Sequence, residues 1–388
     1  MEYPINNSKV TDHFRLGRLV QSDKDPNFLA EIKQYPTTLP VINPLYIFGI
    51  EVEVENVQID RLKGDYYHFW TITQDNSLRN HGLEFVSHPL KAKYVEPALL
   101  QLNKSLNRDV EFSSRTSVHI HMNVRDLTMS QITNVVLIYT AIENILFDWI
   151  GHERDQNIFC IKLTETNYVH NYLLLQSNPN DAIRNWNKYT ALNLQPMASK
   201  GTVEFRHMNG TADPVRIMTW INMLSCIKNM AKRYTTDKLI HMIMDLNSCS
   251  MYEEFLQDIF EQLTPEVIRN KPIQSRMEQA ISYIKLTQAI QEQQPIDEMP
   301  PPPPREPTLD EFLEQRQRRT EVRIPTTVPT TLGDALLTRT LGEPRWETTN
   351  AAQTRNVFRE AMVRVTDPAI WGTDADLGIT QTITDEFN

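Results

Sequence analysis

Apolar positions follow two periods between Tyr46 and Tyr234, and the period changes mark the elements. Three segments alternate strictly and predict half-buried strands. Phe48 to Glu55 puts Ile50, Val52 and Val54 on one face. Ser117 to Val124 does the same with Val118, Ile120, Met122 and Val124, and Gly201 to His207 with Val203 and Phe205. A fourth strand is predicted around Glu84, fed by a loop of short polar residues from Thr73 to Leu78. Helical spacing takes over at Ile132, Val135, Val136, Tyr139, Ile142, Leu146 and Trp149. Thr128 and Gln131 form a capping-box pattern ahead of that run and Gly151 closes it, so a helix over 128–150 is expected. Asp213 followed by Pro214 reads as an N-cap and first helical residue, opening a second helix to about Arg233. Two further amphipathic helices are expected near 251–263 and 274–291.

Outside this region the pattern changes. Residues 1–44 are polar and punctuated by Pro4, Pro26, Pro36, Pro40 and Pro44, which suggests an extended arm or small cap without a core of its own. Pro300 to Pro304 cannot enter a helix or a central strand and favour polyproline II. A short helix capped by Thr308 and Glu311 is expected beyond them, then a segment of Thr and Pro and a tail with no lysine after Lys285. The expected organisation is an arm (1–44), a packed domain (45–235), a helical extension (236–295), a Pro/Thr-rich linker (296–331) and a tail (332–388).

The polar faces of the strands carry the chemistry. Opposite Ile50, Val52 and Val54 stand Glu51, Glu53 and Glu55, spaced about 6.5–7 Å apart along the strand. Three carboxylates in a row repel unless water screens them or a cation sits among them. The face opposite Val118 and Ile120 carries His119, His121 and Asn123, a spacing that aims two imidazoles at one point. The third strand carries Glu204 and Arg206. Each pair alone also suits a solvated face or a surface ion pair of small energy. A half-buried sheet usually wets its outer face with Thr, Lys, Ser and Gln, however, and here the outer faces are Glu-x-Glu, His-x-His and Glu-x-Arg. Carboxylates with one or two histidines suit Mg²⁺ or Mn²⁺ better than a thiolate-closed zinc site.

Composition narrows the setting. The 388 residues are 40% hydrophobic with six Trp, enough for a substantial core, and no run approaches the ~18 apolar residues of a membrane span. Cys160, Cys226 and Cys249 are odd in number and far apart, which fits a reducing compartment. The opening Met-Glu-Tyr-Pro-Ile-Asn-Asn lacks the basic-then-apolar pattern of a secretory signal, so a cytoplasmic, soluble protein is expected. A formal charge of −10 argues against nucleic acid as main partner.

Taken in order, Gly49-x-Glu51-x-Glu53, the Asp75-x-Ser77 loop with Gly82-x-Glu84, His119-x-His121, Tyr189 to Asn193 and Thr202-Val203-Glu204-Phe205-Arg206 resemble the amidoligases. That family lies within the glutamine-synthetase and γ-glutamylcysteine-ligase superfamily. The resemblance implies an α+β fold, a curved antiparallel sheet with helices packed on one side, binding ATP and Mg²⁺ or Mn²⁺ on its concave face. It implies an ATP-dependent carboxylate–amine ligase acting on an amino acid or peptide through an acyl phosphate. Metal ligation falls on Glu51, Glu53, His119, His121 and Glu204. Catalytic roles fall on Arg206, Glu84 and Asp75, and nucleotide binding on Arg184, Lys188, Asn193 and Arg115. The chain has no Gly-rich phosphate loop, so cations must hold the phosphates. Such families are frequent in phages and mobile elements. Arm and tail also suit a rival reading, a structural or interaction protein that keeps the ligase fold inside a homo-oligomer or larger particle. A zinc or iron hydrolase built on the His-x-His strand ranks last, because inward Glu outnumber inward His.

Overall fold

A computed structural model describes residues 7–293 except 20–21, 59–68, 107–108 and 156. The Pro-rich linker, the helix expected at Thr308 and the tail lie outside the described residues.

The fold is mixed α and β, with one antiparallel sheet. Its strands are β1 (Ile47–Val54), β2 (Trp70–Gln74), β3 (Leu83–Ser87), β4 (Leu90–Lys91), β5 (Ser117–Asn123), β6 (Leu192–Asn193) and β7 (Thr202–Asn209). They run in the order β2-β3-β1-β5-β7-β6, with β4 paired to the start of β1. The three strictly alternating segments are the three central strands, a placement that follows from one apolar and one polar face per strand. Thr73 and Gln74 extend the sheet as part of β2, where a loop was expected. Their backbone pairs with Glu84 and Leu83, and that ladder overrides the local preference for a turn.

On the apolar face, Phe48, Ile50, Val52, Phe85, Val118, Ile120, Met122, Val203 and Phe205 are all fully buried. Helices cover them. The short α1 (Val10–His13) and α2 (Pro26–Ile32) precede the sheet, and α3 (Val95–Ser105) follows β4. Next come α4 (Met129–Ile150), α5 (Tyr168–Ser177), α6 (Pro179–Arg184) and α7 (Pro214–Arg233). The last four are α8 (Thr236–Met244), α9 (Cys249–Phe260), α10 (Thr264–Ile268) and α11 (Ile273–Gln293).

Helix α4 is the central one. Of its 22 residues 18 are buried, so it is surrounded on nearly all sides. It packs against α5, α7, α8 and α11. Thr128 and Gln131 make both bonds of the capping box, and Gly151 takes φ 114° at the C-terminus, a conformation few side chains tolerate. Tyr139 of α4 and Trp220 of α7 both meet the Phe205 ring, at 6.2 and 6.5 Å between centroids. Asp213 caps α7 by accepting from the Val215 amide.

Described residues before β1 join the core of the domain. The Val10 amide donates to the Leu127 carbonyl at 3.1 Å, and Thr38 and Leu39 donate to the buried Glu96 carboxylate. Phe28 packs against Phe69 and Tyr94 at 5.1 and 5.5 Å. No helix among the described residues is long and apolar enough to cross a membrane.

Candidate active site

Strand register assembles the polar face. Glu53 pairs with Glu84, and Glu84 with Thr73, making one row across β1, β3 and β2. Glu51 pairs with His119. Gly49 pairs with His121, His121 with Glu204 and Glu204 with Asn193, making a second row across β1, β5, β7 and β6. A Cβ at Gly49 would stand 3.4 Å from that of His121, so glycine leaves the space over this imidazole open.

His119 is the hub. Its Nδ1 lies 3.2 Å from Glu51 Oε2 and 3.6 Å from Glu204 Oε1, and its Nε2 2.7 Å from Ser117 Oγ. The Ser117 hydroxyl donates its single proton to Glu53 Oε2 at 2.6 Å. Nε2 must therefore be the donor to Ser117 Oγ, while Nδ1 donates to Glu51, which makes the ring an imidazolium. Electrostatics agrees. Burial and the charge of Arg206 push this imidazole down, but Glu53, Glu51 and Glu204 outweigh them and hold it above its ordinary value.

The carboxylates divide into two kinds. Burial pushes Glu51 up, but bonds from His119 and from His121, whose Nε2 is 3.0 Å from Glu51 Oε1, hold it well below the carboxylate range. Burial likewise opposes ionisation of Glu204, and the Arg206 guanidinium, then His121 and His119, reverse the balance and lower it. Arg206 Nη1 donates to Glu204 Oε1 at 2.5 Å, and Asn193 Nδ2 to its other oxygen at 2.7 Å. Glu84 differs. Burial and the neighbouring Glu51 charge push its carboxyl up to about 7.

Glu51, His119 and Glu204 each offer a ligand atom within 4.8 Å of the other two, as do Glu53, Glu84 and His119. Ligands of a hard cation sit roughly 2.0–2.6 Å from it, so either trio needs little closure to hold one. The donor set, oxygen-rich with one imidazole, fits Mg²⁺ or Mn²⁺. Nδ1 of His119 already faces Glu51 and Glu204, and Ser117 holds the opposite nitrogen as an outer-shell partner would. The first trio is accordingly the better formed.

Beside the cluster lies a cleft of about 370 Å³ lined among others by Lys188, Tyr189, Asn193, Lys200, Glu204 and Arg206. Lys188 Nζ stands 5.0 Å over the Tyr189 ring, and Lys200 Nζ is 3.6 Å from Glu51 Oε1. Acidic cluster and cationic cleft share one wall, the Glu204–Arg206 pair.

A family model for an enzyme described as a putative amidoligase matches residues 46–227, the span holding this cluster and cleft. Those residues, just under half of the chain, are similar to the amidoligases. The match takes in all seven strands and α3 to α6, stops six residues short of the end of α7, and is a ligase-type assignment for that domain. No curated protein matches the chain.

Within the matched span, the residues expected to hold metal (Glu51, Glu53, His119, His121 and Glu204) stand on the adjacent strands β1, β5 and β7, with Glu84 beside Glu53. Lys188 and Asn193 line the cleft. Three expected residues sit apart. Asp75 follows β2 and accepts from the Ser77 amide, closing its own loop. Arg115 is exposed and donates to the Ser77 carbonyl. Arg184 is exposed at the end of α6 and does not line the cleft. Sequence reasoning passed over Ser117 and Lys200. Ser117 opens β5 on the same face as His119, a period-two signal; Lys200 lies between the Tyr189–Asn193 motif and the Glu204 strand, outside both.

Proposed function

We propose that the domain is an ATP-dependent ligase joining a carboxylate to an amine. The observation that carries this reading is the shared wall: a carboxylate–histidine cluster suited to a divalent cation opens through Glu204 and Arg206 into a cleft rich in cations. Phosphoryl transfer asks for that pairing, a cation site next to a positive clamp for the phosphoryl oxygens. Glu51, His119 through Nδ1 and Glu204 would hold Mg²⁺ or Mn²⁺, with His121 against Glu51. When bound, such a cation would supply positive charge to offset that of the phosphates.

The chain's own residues do the remainder. Arg206, steadied by Glu204, and Lys200 and Lys188 in the cleft hold the triphosphate oxygens. A substrate carboxylate oxygen attacks the γ-phosphorus and the bond to ADP breaks, giving an acyl phosphate. An unprotonated amine then attacks the acyl carbon, phosphate leaves, and the nitrogen gives up a proton to a carboxylate, a role assigned to Glu84 beside Glu53 at the cluster edge. The substrate class proposed is an amino acid or peptide.

Calorimetric titration of the full chain with the non-hydrolysable analogue AMP-PNP, in Mg²⁺ and in EDTA, tests the reading. Binding is expected only with the metal, and Glu51→Gln is expected to abolish it while the fold persists. ADP formation is expected to disappear in Glu51→Gln and Arg206→Ala; turnover that survives both substitutions would sink the assignment.

A further inference from the structure

The β5–β7 ladder slips beside Arg206. Val118 pairs with Met208 but Ile120 pairs with Phe205, so Arg206 and His207 together face the single residue His119. This is a β-bulge, which re-aims a side chain and leaves ladder groups in need of partners. Arg206 keeps the polar face it shares with Glu204 by alternation, the His207 ring enters the helical face between Tyr139, Phe147 and Trp220, and the extra residue lets Met208 face the core as well.

Arg154 fills the gap. Its side chain, 1% exposed, donates from Nε to the His207 carbonyl and from Nη2 to the Arg206 carbonyl, both at 3.1 Å. Among the described residues it forms no ion pair with a carboxylate, so a full charge is buried against two consecutive main-chain carbonyls. Burying a guanidinium without a counter-ion is costly. Backbone amides could have served two carbonyls at no such cost.

The surroundings fix the same two residues from other sides. His207 Nε2 meets the Tyr139 hydroxyl at 2.7 Å, and Tyr139 donates to Glu143 Oε1 at 2.8 Å. Glu143, fully buried, is anchored by the Leu163 and Thr164 amides and the Thr164 hydroxyl. On the polar face, Arg206 Nε donates to the Phe159 carbonyl at 3.2 Å. The guanidinium of Arg206 is thus aimed by its own bulged backbone and by the loop carrying Phe159.

We infer that Arg154 is a positioning residue: its fork holds the bulge carbonyls so that Arg206 presents its guanidinium to the phosphoryl group of a nucleotide in the cleft. This rests on the proposed role of Arg206, and the test separates the two. Mg²⁺·AMP-PNP affinity of the full chain would be measured for wild type, Arg154→Lys, Arg206→Lys and the double variant, with thermal midpoints alongside. Lysine keeps the charge but cannot span both carbonyls. Arg154→Lys is expected to weaken binding by about tenfold, as loss of an outer-shell partner does. The double variant is expected to bind no more weakly than Arg206→Lys alone, because a positioner has nothing left to position.

A merely structural Arg154 would lower the thermal midpoint and give additive losses, which overturns the inference. Wild-type affinity in Arg154→Lys, with Arg206→Lys impaired, overturns it as well. Wild-type affinity in Arg206→Lys would instead remove the underlying reading of Arg206. Arg154→Met, neutral and of similar length, supplies a second variant in which the same non-additivity is required.

Discussion

At the scale of single residues, the division of labour around His119 is set by one proton. Ser117 can donate once, and its proton goes to Glu53, so the Nε2–H of His119 is committed to Ser117, and Nδ1 is the nitrogen that would ligate a metal on giving up its proton. Ser117→Ala removes the anchor without touching a ligand. Loss of such a partner is expected to weaken Mn²⁺ binding by about tenfold, read by calorimetry, with the secondary structure unchanged by circular dichroism. Unaltered affinity would mean that the ring is oriented by Glu51 and Glu204 alone. The clustered residues were visible in the sequence because a strand's period of two separates faces, and three polar faces in succession carried metal-capable groups. Partnerships were not visible. Asp75 sits in a motif that resembles the family's, yet its short side chain satisfies the nearby Ser77 amide first, and Arg115, expected among the nucleotide cations, reaches the Ser77 carbonyl of the same loop.

Elements show a different limit. Helices α4 and α7 and strands β1, β5 and β7 follow from periodicity and caps, which are local. Helix α8 and the short α10 were not anticipated, and the bulge in β7 has no local signature. It arises because Phe205 and Met208 both face the helices while Arg206 must not. That arrangement buries His207 against α4 and α7, and burial together with the nearby Arg154 charge lowers its imidazole to about 3. The sign follows from linkage. The folded value lies below the ordinary 6.5, so the unfolded chain binds the proton first. Stability is complete above about pH 6.5 and is lost as pH falls toward 3, by about 1.4 kcal/mol per pH unit for one proton. Urea unfolding between pH 7 and 4.5 is expected to show a shallower slope in His207→Gln than in wild type, whatever the absolute stability of the variant. Parallel slopes would place the acid sensitivity elsewhere.

For the whole molecule, the sheet joins two opposed requirements. One face is a continuous apolar core that needs no partner. The other collects Glu51, Glu53, Glu84 and Glu204 within reach of one imidazolium, and burial first, then the Glu51 charge, raises the carboxyl of Glu84 to about 7. If the cluster takes a cation, as proposed, the ion would tie together β1, β3, β5 and β7, which supply these residues from 51 to 204 in the chain. Metal binding there would be coupled to the stability of the domain. Mn²⁺ at a free concentration about a hundred times its Kd adds ~2.7 kcal/mol, and for a domain of this size that raises the thermal midpoint by about 5–10 °C. Glu84→Gln is expected to shift both ends of that comparison. Without metal the variant should melt above wild type, because one of the crowded charges is gone; with Mn²⁺ the gain should shrink. Scanning calorimetry of both proteins in EDTA and in Mn²⁺ gives the four midpoints. If Glu84→Gln melts below wild type in EDTA, its hydrogen bond from Thr73 outweighs the repulsion and the cluster is not strained. If the EDTA midpoint rises while the gain from Mn²⁺ stays whole, the strain is real but Glu84 stands outside the ion's reach. That outcome would leave Glu84 solely as the acceptor of the amine proton.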